Sequence, residues 1–267
     1  MKRFEQILKD IKSIKIQGAR NIARAGINAY LLEPSEKNYK LLMNARPTEP
    51  MLFNSIKLLK NSQDKKKKAK EIFNFFKESQ EKISDYGSEL IKTEMNIFTH
   101  CHSSTVISII ILAKKQGKKF TVFNTETRPL LQGRKTAKEL AKAGIKVVQV
   151  SDSDTEFSLE KCDLFLFGAD AYTENGVVNK IGTSTLCKIA RLKKIPCISA
   201  GSLLKYKSKI NIEFRAGKEL WDEREKNIEV INPAFDLTDK KYISKVICEK
   251  GILSYKQFLK EAKKFRL

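Results

Sequence analysis

Residues 95–113, MNIFTHCHSSTVISIIILA, decide the fold of this chain. The first five residues are a short apolar run, which favours a β-strand. Ser103, Ser104 and Thr105 then supply hydroxyl side chains of the kind that cap a helix N-terminus, and the apolar residues 106–113 follow directly. The stretch therefore predicts a strand, a connecting turn and a buried helix, in that order.

The same alternation continues through the carboxy-terminal part of the chain. Short apolar runs occupy residues 120–124, 147–150, 164–167 and 197–200, and amphipathic segments with helical spacing lie between them. Strands that alternate with helices form βαβ units and a parallel sheet, whose ligands bind at the carboxyl ends of the strands. No GxGxxG motif follows the first strand, so no dinucleotide cofactor is predicted.

Residues 1–93 have a helical pattern instead. Phe4, Leu8 and Ile11 recur at the spacing of one helix face, and the pattern resumes after a glycine break. We therefore predict an α/β protein with a helical N-terminal domain over residues 1–93, followed by a Rossmann-like parallel-sheet C-terminal domain over residues 94–267.

The chain is strongly basic. Its 267 residues include 52 Lys and Arg against 31 Asp and Glu, which gives a formal net charge of +21. Such cations drive nucleic-acid binding when they cluster, but this excess is spread along the chain. The sharpest run, residues 65–68, lies in a polar stretch typical of a solvated helix face. Nucleic acid is therefore not the partner that we expect.

The cysteines and the apolar runs indicate the cellular compartment. The five cysteines are odd in number, scattered and without a CxxC pair, which supports neither a disulfide framework nor a zinc site. The longest apolar run is far shorter than the ~20 residues that span a bilayer, and the first ten residues carry charges instead of a secretory signal. We expect a cytoplasmic protein with no membrane span.

Cys101 is the first candidate for chemistry. It stands between the first predicted strand and a helix N-terminus, where backbone N–H groups and the helix dipole can lower the pKa of a thiol or hold a phosphate. The alternative is an inert, buried cysteine. The flanking His100 and His102 face away from residue 101 if the segment is extended, so we expect no metal site.

Asp170 is the second candidate, because it ends the apolar strand that begins at residue 164. Burial at the mouth of a strand raises the pKa of a carboxyl, which can then act as an acid; capping of the next loop is the alternative. Downstream, Asn179 and Lys180 open the next predicted helix. Their amide and ammonium groups, beside free backbone N–H groups, favour a phosphate or a sugar hydroxyl.

Three further segments suit an anionic ligand. A glycine turn leads into a helix that carries an arginine, at Gln17, Gly18, Ala19 and Arg20. The second segment is Arg46, which is followed by a proline, and the third, residues 126–134, carries two arginines around a turn. Each of these signals is weak alone, since surface arginines are common.

Taken in order, these segments resemble one protein family. The matching blocks are QGAR, ARPT, THCHSST, ETRPLLQGRKTAKELAKAGI, FGAD, NKIGT and NPAFDLT, and they run from about residue 18 to residue 252. The family contains ribose-1,5-bisphosphate isomerases, methylthioribose-1-phosphate isomerases and regulatory subunits of the translation-initiation exchange factor. The resemblance implies a helical N-terminal domain, and a Rossmann-like domain through which the chain forms a homo-oligomer, either a dimer or a trimer of dimers.

The resemblance also implies a reaction, the conversion of α-D-ribose 1,5-bisphosphate to ribulose 1,5-bisphosphate without metal or other cofactor. Cys101 and Asp170 match the catalytic pair, with the thiolate as base and the carboxyl as acid. Lys205, after the last predicted strand, matches a cation for a second phosphate, and Asp236 is a supporting or interface candidate. The expected substrate-binding residues are Gln17, Gly18, Ala19, Arg20, Arg46, Ser103, Ser104, Thr105, Asn179, Lys180 and Lys205.

Two alternatives stay open. The first is the same chemistry on methylthioribose 1-phosphate, which lacks the second phosphate. The second is a non-catalytic regulatory subunit that keeps the fold as a binding module. The isomerase pattern has an arginine where this chain has Gln17, so one expected phosphate ligand is missing, although Arg20 is nearby.

Overall fold

The computed structural model describes residues 3–223, 225–265 and 267. The α-helices are α1 (Arg3–Lys12), α2 (Ala19–Leu32), α3 (Glu36–Met43), α4 (Pro50–Lys60), α5 (Lys65–Glu89), α6 (Ser104–Lys115), α7 (Gln132–Lys142), α8 (Thr155–Leu159), α9 (Thr183–Leu192) and α10 (Tyr255–Lys264). The strands are β1 (Asn96–Thr99), β2 (Thr121–Thr125), β3 (Lys146–Val150), β4 (Leu164–Gly168), β5 (Ala171–Tyr172), β6 (Gly176–Lys180), β7 (Cys197–Ala200), β8 (Phe235–Asp239), β9 (Lys245–Cys248) and β10 (Gly251–Leu253).

Local signals in the sequence set the ends of the amino-terminal helices. Gly18 precedes α2 with a φ of 84°, which glycine adopts without steric cost. Pro50 is the first residue of α4, where its missing N–H is not needed. Before α5, the Asp64 side chain accepts a hydrogen bond from the backbone N–H of Lys67. The helical N-terminal region is confirmed.

Helix α5 belongs to both parts of the molecule. Its residues Ile72 and Phe76 pack in the apolar core of the amino-terminal helices, whereas Ile83 packs in a core on one face of the sheet. A Cβ atom on Gly87 would lie only 2.6 Å from Cδ1 of Ile109 in α6, so glycine allows these two helices to pack closely. The domain boundary after residue 93 stays a prediction.

A seven-stranded sheet has the order β10-β9-β7-β4-β1-β2-β3 and is parallel except for the pairing of β9 with β10. Both of its faces are covered. Along β4, Leu164 and Leu166 pack in one core while Phe165 and Phe167 pack in the other. A parallel strand buried on both faces is expected to be apolar throughout, which explains the LFLF run. The predicted Rossmann-like parallel sheet is confirmed.

The sequence prediction is wrong for residues 179 and 180. Asn179 and Lys180 do not open a helix; they end β6, and α9 begins at Thr183. Strands β5, β6 and β8 form a separate antiparallel sheet that the prediction does not contain. The turn between β5 and β6 has a local cause, because the Thr173 hydroxyl accepts hydrogen bonds from the N–H groups of Asn175 and Gly176.

The prediction also ends the sheet too early. The strand at residues 197–200, β7, is followed by β9, which pairs with it, and by β10. Among the described residues, no helix combines the length and the apolar character needed to cross a membrane.

Replacement of Gly133 by alanine tests how closely α7 approaches β2. A Cβ atom at residue 133 would lie 1.8 Å from the carbonyl oxygen of Thr125, so the backbone must shift. We expect the free energy of unfolding to fall by about 1–3 kcal/mol or more, measured by urea denaturation. Lys138→Ala, at an exposed site in the same helix, is the control. Equal stability of the two variants would contradict the described packing.

Candidate functional site

One cavity lies where the order of the sheet strands reverses. Strand β1 pairs with β2 on one side and with β4 on the other, so the carboxyl ends of β1 and β4 border a crevice. The cavity there has a volume of about 200 Å³. All the residues predicted for catalysis or substrate binding line it, namely Gln17, Gly18, Ala19, Arg20, Arg46, Cys101, Ser103, Ser104, Thr105, Asp170, Asn179, Lys180 and Lys205.

Cys101 lies in a tight turn between β1 and α6. Its φ of 68° is in the left-handed region, which is uncommon for residues other than glycine, so the segment is not extended as the sequence analysis assumed. Two hydroxyl groups hold this conformation. The Thr127 hydroxyl accepts a hydrogen bond from the Cys101 N–H at 3.0 Å, and the Thr136 hydroxyl donates to the Cys101 carbonyl at 2.9 Å.

The thiol of Cys101 does not have the lowered pKa that the sequence predicts. Loss of water around the thiol, followed by the negative charge of Asp170, raises its pKa to about 12. The backbone N–H of His102 and the ammonium of Lys180 act in the opposite direction, and their effect is smaller. That expectation is wrong because burial and a neighbouring carboxylate outweigh the helix N-terminus.

The pKa of the Asp170 carboxyl is shifted in the direction that the sequence predicts. Burial raises the pKa of its carboxyl, while the nearby cations Lys205, Arg46 and Lys180 lower it in part. The side-chain amide of Asn179 lies 3.2 Å from Oδ2 of Asp170, within hydrogen-bond distance. Asp170 therefore combines a desolvated carboxyl with a set of cations that stabilise its ionised form.

The cations of the cavity come from separate parts of the chain. Arg20 donates a hydrogen bond to the Ser104 hydroxyl at 3.1 Å, which joins the start of α2 to the start of α6. Buried Arg46 pairs through Nε with Oε2 of Glu213 at 3.1 Å. Lys205 donates to the carbonyl oxygen of Ala169, and burial lowers the pKa of its ammonium.

Several residues that line the cavity were missed by the sequence analysis. Glu49 and Gln132 each have a buried side-chain oxygen with no hydrogen-bond partner among the residues that the structure describes. Glu213 and Arg215 reach the cavity from the irregular segment before β8 and pair with each other at 3.0 Å. Glu49 precedes Pro50 directly, which indicates a helix start and not a ligand site. No sequence signal marks the irregular segment.

Other candidates lie elsewhere. Arg128 donates to the carbonyl of Leu220, and Arg134 pairs with Glu126 near the surface, so neither arginine of the 126–134 segment lines the cavity. The Asp236 carboxylate accepts hydrogen bonds from the N–H groups of Gly182 and Ser184 and so supports the start of α9.

The two histidines that flank Cys101 have structural partners. The ring of buried His100 contacts the Thr125 hydroxyl at 2.6 Å and the Ile181 carbonyl at 2.9 Å. The ring of His102 lies 3.2 Å from the Thr136 hydroxyl, which also supports the turn at Cys101.

Comparison with known proteins identifies the family. Residues 13–255 match the model of the initiation factor 2 subunit family. The chain belongs to the initiation factor 2 subunit family. Within this family, it is 37% identical to a ribose 1,5-bisphosphate isomerase of Methanocaldococcus jannaschii, over 94% of this chain and 91% of that protein.

Two other proteins are similar to this chain over most of their length. A methylthioribose-1-phosphate isomerase of Thermosipho africanus is 31% identical, over 97% of this chain and 90% of that protein. Among solved structures, translation initiation factor eIF-2B of Pyrococcus horikoshii OT3 superposes with a TM-score of 0.86 at 28% identity, covering 95% of this chain and 98% of that one. Proteins with different names are therefore similar to this chain over most of its length.

The reactivity of the Cys101 thiol tests the electrostatics of the cavity. With a pKa of about 12, only about one thiol in ten thousand is ionised at pH 8, so alkylation by iodoacetamide is slow. Asp170→Asn removes a negative charge that disfavours the thiolate. We expect it to speed alkylation of Cys101 at pH 8.5 by about fivefold or more, followed by peptide mass spectrometry. Exposed Asp85→Asn is the control, and an unchanged rate in Asp170→Asn would contradict the assignment.

Proposed function

We propose that this protein is an aldose–ketose isomerase that converts α-D-ribose 1,5-bisphosphate to D-ribulose 1,5-bisphosphate. The observation that carries the proposal is that a thiol, a carboxyl and several cations line a single cavity. The named activity of the Methanocaldococcus jannaschii relative supports this substrate. No metal or other cofactor is required by the proposed chemistry.

The charge of the cavity suits a bisphosphate. Each phosphate monoester carries about −1.5 to −2 at neutral pH, so the substrate brings roughly −3 to −4. Arg20, Arg46, Lys180 and Lys205 line the cavity with cationic side chains. In our proposal these residues, with the hydroxyls and N–H groups at the start of α6, bind the two phosphates. Asn179 binds the sugar hydroxyls.

The proposed reaction moves protons between the sugar and two side chains. Asp170 donates a proton to the ring oxygen as the bond from that oxygen to carbon 1 breaks. Cys101, as the thiolate, removes the proton from carbon 2, and the electron pair of that bond forms the double bond of an enol phosphate. The thiol then returns a proton to carbon 1, while Asp170 accepts the proton of the carbon 2 hydroxyl as the ketone forms.

The raised pKa of Cys101 is compatible with this reaction. A neutral thiol beside an ionised Asp170 holds the same number of protons as a thiolate beside a protonated Asp170. The second form therefore needs only the transfer of a proton between the two side chains, with no net loss to solvent. Positive charge that develops at carbon 1 during ring opening stabilises the thiolate and favours that transfer.

Protection of the intermediate accounts for the position of the amino-terminal helices. An enol phosphate can lose its phosphate to water, so the site must exclude solvent. The cavity is lined from one side by the α2 N-terminus, at Gln17–Arg20, and from the other by the ends of β1 and β4. In our proposal the substrate lies between these two parts of the chain.

Methylthioribose 1-phosphate is the second candidate substrate, because a Thermosipho africanus relative is named as the isomerase of that sugar. It has the same carbon 1 and carbon 2 chemistry but one phosphate fewer. Lys205 favours the bisphosphate, since its ammonium lines the cavity and can donate charge-assisted hydrogen bonds to a second phosphate. We further propose that the chain acts in the cytoplasm as a homo-oligomer, a dimer or a trimer of dimers, through the sheet-containing part.

Cys101→Ser and Asp170→Asn separate chemistry from binding. Both replacements are close in size to the native side chain, so we expect the dissociation constant for ribulose 1,5-bisphosphate to change by less than about threefold. We expect kcat to fall by about 10²- to 10⁴-fold in each variant, because each loses a proton donor or acceptor. Asp85→Asn serves again as the control, and full turnover in either cavity variant would reject the mechanism.

A further inference from the structure

Glu49 is a buried carboxyl in the cavity that the proposed reaction does not use. Its side chain is 4% exposed and lines the same cavity as Asp170 and Arg46. Oε2 has no hydrogen-bond partner among the described residues, and Oε1 lies 3.9 Å from Nη2 of Arg46, beyond hydrogen-bond distance. A buried polar oxygen without a partner is costly, which points to a ligand that supplies the missing bond.

Four charged groups from separate elements act on Glu49. Asp170 follows β4 and Glu213 lies in the segment before β8, and both carboxylates disfavour a second negative charge. Arg46, three residues before Glu49, and Lys205, in the turn after β7, favour that charge. Burial is the largest effect, and together these influences raise the pKa of Glu49 to about 8. Glu49 is therefore largely a neutral acid at pH 7.

A neutral carboxylic acid beside Arg46 can donate a hydrogen bond to an anion that Arg46 binds. We propose that Glu49 binds a substrate phosphate in its protonated form, donating a hydrogen bond to the same phosphate that Arg46 binds. This inference rests on the proposed function for the identity of the sugar. The binding of a phosphate group beside Arg46 can be tested without that identity. An ionised Glu49 would repel that phosphate at close range, so the protonated acid is the form that binds.

The proposal predicts that phosphate affinity depends on pH in one direction. Bound phosphate favours the protonated carboxyl, so affinity is highest below the pKa of Glu49 and falls as pH rises through it. A sugar phosphate monoester has a second pKa of about 6 and is therefore mainly the dianion across this alkaline range. Lys205 is a second group that can make phosphate affinity depend on pH. Burial lowers the pKa of its ammonium, and loss of that charge at high pH also weakens phosphate binding.

Three variants separate these causes. Glu49→Gln keeps an N–H donor at the same place but cannot ionise, and Glu49→Leu removes the donor. Glu36→Gln is the control, because it removes an exposed carboxylate that pairs with Lys60, the last residue of α4. The measured quantity is the dissociation constant for inorganic phosphate and for ribulose 1,5-bisphosphate, by calorimetry between pH 7 and pH 9.5. Since binding alone is measured, failure of the isomerase assay and failure of this test are distinguishable.

We expect the affinity of the wild-type protein and of Glu36→Gln to fall by about tenfold or more between pH 7 and pH 9.5. Glu49→Gln should lose less than about threefold over the same range. Glu49→Leu should bind about tenfold or more weakly than Glu49→Gln at pH 7, because it lacks the hydrogen bond to a charged group.

Two outcomes would overturn the proposal. The first is an alkaline loss of affinity in Glu49→Gln as steep as in the wild type, which would assign the titration to Lys205. The second is equal affinity of Glu49→Leu and Glu49→Gln for phosphate, which would show that the side chain at residue 49 donates no hydrogen bond to phosphate. Calorimetry at pH 9 in buffers of different ionisation enthalpy gives the number of protons taken up on phosphate binding, in the wild-type protein and in Glu49→Gln. Greater proton uptake in the wild-type protein than in Glu49→Gln supports the proposal, and equal uptake in the two proteins rejects it.

Discussion

The parallel pairing of β1 with β4 is the constraint on which the cavity depends. Because Ile97 pairs with Leu164 and Phe98 with Phe165, the two strands end at the same edge of the sheet. Cys101 and Asp170, each just after one of these strands, are thereby brought to one cavity although 69 positions separate them in the sequence. The two apolar cores on the faces of the sheet fix this register, since a slip of one residue would exchange them.

Electrostatic compensation is the second feature of the cavity. Arg46 is buried, and its charge is compensated by Glu213, while Lys205 lies close enough to Asp170 and Glu49 for their charges to raise its pKa against the effect of burial. A substrate phosphate must therefore compete with a protein carboxylate for Arg46. Buried charges that already have partners need less reorganisation when a ligand arrives, and this is compatible with selective binding of an anion.

Much of the fold and of the cavity lining could be predicted from the sequence, wherever the signal is local. The apolar runs gave the strands that carry Cys101 and Asp170, and glycine and proline marked the starts of α2 and α4. The pKa of the Cys101 thiol could not be predicted, because it depends on burial and on Asp170. Glu213 could not be found either, since it meets Arg46 across 167 positions from a segment without periodicity.

The rates of turnover of the two candidate sugars test whether the cavity selects a bisphosphate. Purified protein is supplied with α-D-ribose 1,5-bisphosphate or with methylthioribose 1-phosphate. Ribulose 1,5-bisphosphate is trapped by enzymatic carboxylation, and methylthioribulose 1-phosphate is followed by chromatography coupled to mass spectrometry. We expect turnover of the bisphosphate, with kcat/KM at least about 100-fold above that for the monophosphate, because the monophosphate lacks the charge-assisted hydrogen bonds that the second phosphate makes in our proposal. No turnover of the bisphosphate, or a preference for methylthioribose 1-phosphate, would contradict this expectation.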